Sequence, residues 1–367
     1  MLFVLFLCCA CAFVANAVLV RYGSAHTRRY ADSMPQRFHS GHVPRLGGVG
    51  MFAACTAGWI WMVVSQQLSL SNQIRIDALT AAALWLVVAL AVAAGAFEDL
   101  TQRLPARHRL LLTVGAAILA VWLLKLWVPR MGLYGVDEVW AAHPWMGVTL
   151  AIFAVSGLPH AFNLIDGYNG LAGIVALVCC FALAYVALQV GDRQLAAIVL
   201  VLAGATAGFL MWNYPRGLIF AGDGGAYLWG TVIAIASIQL VMRHGEVSPW
   251  FPILLLIYPV WETMFSIYRK AARGQSPGVA DALHFHQLIY RRIVRGVFHD
   301  DEARRMLMRN NRTSPYLWGF ALLTVLPAVM FWNHTGWLMA FSALFVVSYV
   351  WAYTSIIRFK VPSWLRR

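Results

Sequence analysis

A short polar stretch interrupts one of the longest apolar regions of this chain. Residues 163–173 read NLIDGYNGLAG and follow an apolar run that begins near Trp145. Within the stretch, Asn163, Asp166 and Asn169 stand three residues apart and are accompanied by three glycines. These residue types are unfavourable inside helices or inside lipid. The stretch is therefore a candidate site at a break in the apolar sequence.

Four other segments combine charged or amide side chains with glycines or tight turns. They contain Arg45 with Gly47 and Gly48, Glu98 with Asp99, Asn213 with Gly222, Asp223 and Gly224, and His284 with His286.

Phosphate binding is the chemistry that these residue types suggest. Glycine lets the backbone approach an anion and present its N–H groups. Convergent carboxylates would repel a phosphate unless a metal lay between them. Mg2+ fits, because it binds one or two carboxylates together with phosphate oxygens, and Mn2+ is an alternative cation. Arg45 and the two histidines could bind the remaining phosphate charge, although the histidines also suit an ordinary solvated loop.

The composition sets the fold class. Of the 367 residues, 61% are hydrophobic and 12% are charged, whereas a soluble domain has about 25% charged residues. Apolar stretches near the length of a membrane helix recur along the whole chain. We predict an all-α polytopic membrane protein that forms a single domain over 1–367, with a large basic loop at about 269–314. Eleven spans are predicted, at 1–20, 47–66, 79–97, 108–128, 145–164, 170–189, 194–212, 224–242, 249–268, 315–332 and 335–356.

The distribution of basic residues orients these spans. With the N-terminus outside and the C-terminus in the cytoplasm, the cytoplasmic segments hold 23 of the 28 lysine and arginine residues. This asymmetry follows the positive-inside rule, so the net charge of +13 orients the chain and favours anionic lipid headgroups. It does not indicate a nucleic-acid partner. The six cysteines lie in apolar runs without zinc-ligand spacing, which predicts buried thiols.

In this topology all the candidate segments lie on the cytoplasmic face. A single acid at a helix end usually has no function, but three acidic sites grouped on one face indicate a shared one. Glu262, one or two turns from the same face, is predicted either to contact this site or to support it from behind.

The segments, in this order, resemble the polyprenyl-phosphate N-acetylhexosamine-1-phosphate transferases of glycosyltransferase family 4. The Pro-Arg-x-Gly-Gly motif of that family matches 44–48, its Asp-Asp pair matches 98–99, and its Asn-x-x-Asp-Gly-x-Asp-Gly-Leu-Ala motif matches 163–172. Its Asn-x-x-Pro and Gly-Asp-x-Gly motifs match 213–225, and its loop histidines match 284 and 286. The pattern is closer to the branch that initiates O-antigen synthesis than to the peptidoglycan branch.

The resemblance implies a Mg2+-dependent enzyme of the bacterial inner membrane. Such an enzyme transfers a sugar-1-phosphate from a UDP-sugar to undecaprenyl phosphate and releases UMP, as the first membrane step of cell-surface polysaccharide or O-antigen synthesis. It implies Asp223 as the first metal ligand, with Asp99 and Glu98 near the lipid phosphate. Asp166 and the asparagines would hold the nucleotide. Catalytic roles extend to the two histidines, and a homodimer remains open.

Four positions depart from the family pattern. Glu98 replaces an aspartate, Asn169 replaces an aspartate, and Ala282 and Gln287 interrupt the polar histidine loop. These departures predict a changed sugar-nucleotide preference. The alternatives are a peptidoglycan-type phospho-N-acetylmuramoyl-pentapeptide transferase, a membrane transporter and an inactive scaffold.

Overall fold

The protein, in a computed structural model, is described over residues 1–27, 43–68, 76–275, 283–294, 296–297 and 299–358. Every regular element in these ranges is a helix, which confirms the all-α prediction. Ala282 and most of the predicted loop at 21–46 lie outside the described residues. The helices are α1 (Leu2–Thr27), α2 (Gly47–Gln67), α3 (Ala78–Thr101), α4 (Ala106–Leu124), α5 (Val136–Ala142), α6 (Pro144–Ile165), α7 (Leu171–Gln189), α8 (Arg193–Asn213), α9 (Gly222–Arg243), α10 (Trp250–Leu255), α11 (Ile257–Ala271), α12 (Phe285–Arg292), α13 (Glu302–Met330) and α14 (Thr335–Ile357).

Ten of the described helices are long and apolar enough to cross a membrane. The predicted span at 249–268 differs, because it consists of the two shorter helices α10 and α11 with a break at Leu256. Pro259 has no N–H group to donate to the carbonyl four residues earlier, at Leu255. The Cys179 thiol lies 3.9 Å from this carbonyl oxygen and donates to it weakly. All six cysteines are free thiols.

The broken pair α10–α11 joins the two ends of the helix bundle. Just before α10, the Ser248 hydroxyl lies 2.7 Å from the hydroxyl of Thr335, which begins α14. In α11, Glu262 accepts a hydrogen bond from the N–H group of Phe285, at 3.0 Å. The next residue, His286, packs against Gly167 at the end of α6. The chain therefore passes from one end to the other between Ser248 and Phe285.

Helices α8 and α9 form the centre of the bundle. The apolar part of α9 is 94% buried, whereas that of α4 is only 22% buried. Large apolar side chains such as Leu111 and Phe153 cover the outside, as expected for a protein whose solvent is lipid.

Glycines let three helices approach α9 closely. A Cβ atom at Gly48 of α2 would overlap the backbone of α9 at Gly225, and one at Gly95 of α3 would overlap the backbone of Asp223 and Gly224. On the third side, a Cβ atom at Gly230 of α9 would overlap the backbone of α6 at Pro159. Small residues at such crossings are typical of membrane helix packing.

Gly230→Ala is therefore expected to lower the free energy of unfolding by about 1–3 kcal/mol, because the new methyl group must push α6 and α9 apart. Gly157→Ala is the matched control, since Gly157 lies in α6 with open space around its Cβ position. Thermal unfolding of the detergent-solubilised protein, followed by tryptophan fluorescence, measures both. Equal unfolding temperatures for the two variants would contradict the packing argument.

Candidate active site

Asp99 and Asp223 come together where α3 ends and α9 begins. The two carboxylate oxygens of Asp99 accept hydrogen bonds from the backbone N–H groups of Asp223, at 3.0 Å, and Gly224, at 2.9 Å. Asp99 is only 3% exposed. It acts as a cap supplied by another helix, because its negative charge lies at the positive end of the α9 dipole.

Asp223 is held by two further helices. Its Oδ1 atom accepts a hydrogen bond of 2.7 Å from the side-chain amide of Asn163 in α6. Its Oδ2 atom forms an ion pair with Arg109 in the first turn of α4. The structure thus brings together Asn163, Asp99 and Asp223, three residues that were singled out from the sequence. Arg109 is an additional member of this group.

Sequence reasoning missed Arg109 because the positive-inside rule already accounts for a basic residue at that position. The sequence around Arg109 nevertheless contains a signal that could have indicated its ion pair. Arg107 and Arg109 lie in the first turn of α4, and no acid accompanies them there. Basic residues at a helix N-terminus oppose the helix dipole, so an arginine in that position suggests an acidic partner elsewhere in the fold.

Gly47 and Gly48 attach the start of α2 to the segment that precedes α9. The N–H groups of Gly47 and Gly48 each donate, at 2.9 Å, to the carbonyl oxygens of Phe220 and Ala221. The expectation that these two N–H groups present themselves to a phosphate is therefore wrong, because backbone carbonyls already accept from them. Gly222 has φ +70°, and a Cβ atom there would overlap Asp99. Only glycine suits that position.

Asp166 and Glu98 lie around the same group. Glu98 closes the connection after α3, since its Oε2 atom accepts a hydrogen bond of 2.7 Å from the backbone of Leu104. Asp166 caps the end of α6 and is half-buried. Burial raises the pKa of Asp166 to about 7, while the positive charge of Arg45 opposes this rise.

The other two predicted asparagines make structural contacts. Asn169 donates from its side chain to Asn311 at 2.9 Å, which ties the loop after α6 to α13. Asn213 accepts from the backbone of Gly170 at 2.6 Å and donates to the carbonyl of Ile219 at 2.8 Å. Both side chains therefore fix the loops that border the site.

A cavity of about 340 Å3 lies beside these loops. It is bordered by Asn169, Phe220 and two arginines, Arg216 and Arg304. The Oδ1 atom of Asn169 is buried and has no hydrogen-bond donor among the described residues. The cavity is therefore lined by an aromatic residue, an amide and two arginines, together with the acid Asp301.

The two histidines form a buried pair that Glu262 supports. The rings of His284 and His286 stack with centroids 5.4 Å apart and planes 9° apart. An oxygen of Glu262 lies 3.4 Å from Nδ1 of His284, and the other accepts a 2.6 Å hydrogen bond from the Tyr349 hydroxyl. Burial lowers the pKa of His286 to about 3, and the nearby His284 adds to this effect. His286 is therefore neutral, and Glu262 lies behind the histidines rather than beside the aspartates.

The group around Asp223 suits a magnesium ion. Among the residues that the structure describes, no cluster of three or more histidine, cysteine, aspartate or glutamate side chains could hold a metal. Mg2+ needs only one or two carboxylates when water and phosphate supply the other ligands. Asp99 and Asp223 provide two neighbouring carboxylates where α3 meets α9. The Arg109 guanidinium, a cation, already binds one of them.

Asp166→Asn is expected to stabilise the protein at pH 8. The folded protein keeps a proton on Asp166 up to a pH of about 7, whereas the unfolded chain releases it near 3.8. The contribution of Asp166 to stability is therefore complete below 3.8 and is lost as the pH rises to 7. The variant should unfold roughly 2 °C or more above the parent at pH 8, with a smaller gap at pH 5.

Thermal unfolding at the two pH values measures this gap. Glu138→Gln is the control, since Glu138 is an exposed acid in α5. A gap for Asp166→Asn that is the same at both pH values would contradict the burial argument.

Comparison with known proteins agrees with the motifs. Residues 81–241 match the model of the family described as Glycosyl transferase family 4. The chain is 28% identical over 254 residues to "Probable undecaprenyl-phosphate N-acetylglucosaminyl 1-phosphate transferase" of Bacillus subtilis, with 68% of this chain and 66% of the relative covered. It is 30% identical over 186 residues to the undecaprenyl-phosphate alpha-N-acetylglucosaminyl 1-phosphate transferase of Thermotoga maritima, with 51% and 55% covered.

The undecaprenyl-phosphate alpha-N-acetylglucosaminyl 1-phosphate transferase of Escherichia coli K12 is 28% identical to the chain over 264 residues, with 69% of this chain and 66% of the relative covered. The chain thus spans between about half and two thirds of the length of these three relatives. The matched segment 81–241 contains Asp99, Arg109, Asn163 and Asp223. Through this segment the chain is similar to glycosyl transferase family 4, which confirms the resemblance identified from its motifs.

Proposed function

We propose that the protein transfers an N-acetylhexosamine-1-phosphate from a UDP-sugar to undecaprenyl phosphate and releases UMP. The observation that carries the proposal is the convergence of Asp99, Asn163 and Asp223 with Arg109 at one end of a membrane bundle. That convergence lies within the segment that matches the family. The relatives act, by their names, on undecaprenyl phosphate and N-acetylglucosamine, so N-acetylglucosamine is the first sugar to test.

We place the active site on the cytoplasmic side of a bacterial inner membrane. Counting the broken pair α10–α11 as one crossing gives eleven crossings, with the N-terminus outside. The proposed cytoplasmic side then contains Asp99, Asp166 and Asp223, together with 23 of the 28 basic residues. This side suits the reaction, because the UDP-sugar would be supplied from the cytoplasm.

The cavity beside Asn169 would accept the uridine of the donor. Phe220 can pack against a base, and Asn169 borders the same space. Arg216 and Arg304 would draw the negative pyrophosphate toward the cavity. Phe220 precedes Asp223 by three residues, so the cavity adjoins the segment that carries this aspartate.

The acceptor needs little help from a general base. The second pKa of a phosphate monoester is about 6, so undecaprenyl phosphate is mostly a dianion at neutral pH. One of its oxygens attacks the β-phosphorus of the donor. The bond from that phosphorus to the bridging oxygen breaks, and UMP leaves with the electron pair. Asp99 would act through its position and its charge and not as a base, since both its oxygens hold the N-terminus of α9.

Asp223 and Asp99 are the residues that would hold Mg2+, or Mn2+ in its place. When bound, the ion would offset the charge of the donor phosphates. Asn163 keeps the Asp223 carboxylate in a fixed orientation through its 2.7 Å hydrogen bond. We further propose that the reaction begins the synthesis of a cell-surface polysaccharide.

Asp223→Asn is expected to abolish UMP release, because the variant loses the charge that would bind the cation. Purified protein, undecaprenyl phosphate, Mg2+ and a panel of UDP-sugars form the assay. Asp192→Asn is the matched control, since Asp192 also begins a helix and pairs with an arginine, Arg243, at 3.1 Å. Near-normal turnover by Asp223→Asn would refute the metal assignment, and no UMP from the parent with any sugar would refute the enzyme.

Asp99→Asn is expected to lower kcat by roughly 10–100-fold at every pH, because the loss of a fixed negative charge does not depend on pH. A pH–rate profile from 6 to 9 measures this. If Asp99 were instead a general base, raising the pH would restore much of the activity. Asp77→Asn, which alters the ordinary cap of α3, controls for the loss of a cap.

A further inference from the structure

Arg109 occupies the position of a cation in the candidate active site. Its guanidinium pairs with Oδ2 of Asp223, the carboxylate that we assign to the metal. The side chains of Arg109 and Asp223 are 23% and 14% exposed, so the pair is largely shielded from solvent. A metal ion that used the same oxygen would have to share it with, or take it from, a positive side chain.

The location of Arg109 is unfavourable for α4 itself. The first turn of this helix contains Arg107 and Arg109 and no acid. Positive side chains there oppose the helix dipole. The favourable contact of Arg109 is therefore its ion pair with Asp223 and not an interaction with the dipole of α4.

Arg109 retains unused hydrogen-bonding capacity. Its Nε atom is buried and has no acceptor among the described residues. Guanidinium presents five N–H donors in a planar fork that matches two oxygens of a phosphate. By contrast, Asn163 is a neutral donor on the other oxygen of Asp223 and would not repel a metal ion.

We propose that Arg109 binds Asp223 in place of the metal ion when substrates are absent. When the cation binds, the Arg109 side chain moves from Asp223 to an oxygen of the donor phosphates. The inference rests on the proposed function, because it takes Asp223 as the metal ligand. Two cations cannot share one carboxylate oxygen without mutual repulsion, whereas the incoming phosphates offer Arg109 new oxygens. Binding of the cation and binding of the donor would then favour each other.

The decisive variant is Arg109→Gln, which removes the competing charge. Mn2+ binding to the detergent-solubilised protein, without any substrate, is measured from the electron paramagnetic resonance signal of free Mn2+. We expect Arg109→Gln to bind Mn2+ roughly tenfold more tightly than the parent, within the usual range for coupling between two sites. Arg107→Gln, in the same turn but exposed, is the matched control and should bind Mn2+ as the parent does.

A second arm tests the transfer to phosphate. Arg109→Lys keeps the charge but loses the planar fork, so its Mn2+ affinity should stay within about twofold of the parent while the KM for the UDP-sugar rises roughly tenfold. If Arg109→Gln unfolds during purification, Arg109→Met, of similar length, provides the same measurement.

Unchanged or weaker Mn2+ binding in the uncharged variant would overturn the proposal, as would a failure of both proteins to bind Mn2+. The Mn2+ measurement uses no substrate, so it stays informative if the parent releases no UMP. In that case the proposed reaction fails, and the competition between Arg109 and the metal is judged separately.

Discussion

The capping of α9 by Asp99 is the interaction on which the rest of the site depends. A buried carboxylate from α3 satisfies two N–H groups at the start of the most enclosed helix. Without it, those groups would face a region that holds little water to replace the lost bonds. Because the capped turn also carries Asp223, the same interaction that ends α3 and begins α9 fixes the two carboxylates next to each other.

The capping of α9 by Asp99 also requires the backbones of α2 and α3 to lie close to that of α9. Gly222 allows the chain to turn directly above Asp99, and Gly48 and Gly95 allow α2 and α3 to lie against the first turns of α9. The hydrogen bonds from Gly47 and Gly48 to the segment before Gly222 complete this arrangement. Preorganisation of this kind reduces the cost of placing two like charges side by side, because the surrounding dipoles are already oriented.

The sequence predicted the helical class, the resemblance to glycosyl transferase family 4 and the convergence of Asn163, Asp99 and Asp223. The length of apolar runs and the order of motifs can be read without knowing how the helices pack. It did not predict Arg109, since the basic first turn of α4 does not show which acid, here one 114 positions away, the arginine pairs with. The amides at 47–48 and the side chain of Asn213 were expected to face a substrate and instead bind backbone groups. The residue types alone cannot distinguish these partners, because a peptide carbonyl and a phosphate oxygen accept from the same donors. The broken helix at Leu256 was also missed, as mean hydropathy is insensitive to a single lost hydrogen bond.

Beside Glu98 and Asp99, the exterior of the helix bundle is apolar and would face lipid. Next to the Glu98–Asp99 pair, Phe97 is 53% exposed and Leu100 is 40% exposed, and Leu111 is 65% exposed two residues after Arg109. These side chains belong to the outward faces of α3 and α4, where lipid tails would lie. A ligand with a long hydrocarbon tail could therefore arrive by lateral diffusion within the bilayer plane, while a water-soluble one approaches from the end of the bundle. The two partners of a transfer reaction would then enter through different phases and would not compete for one entrance.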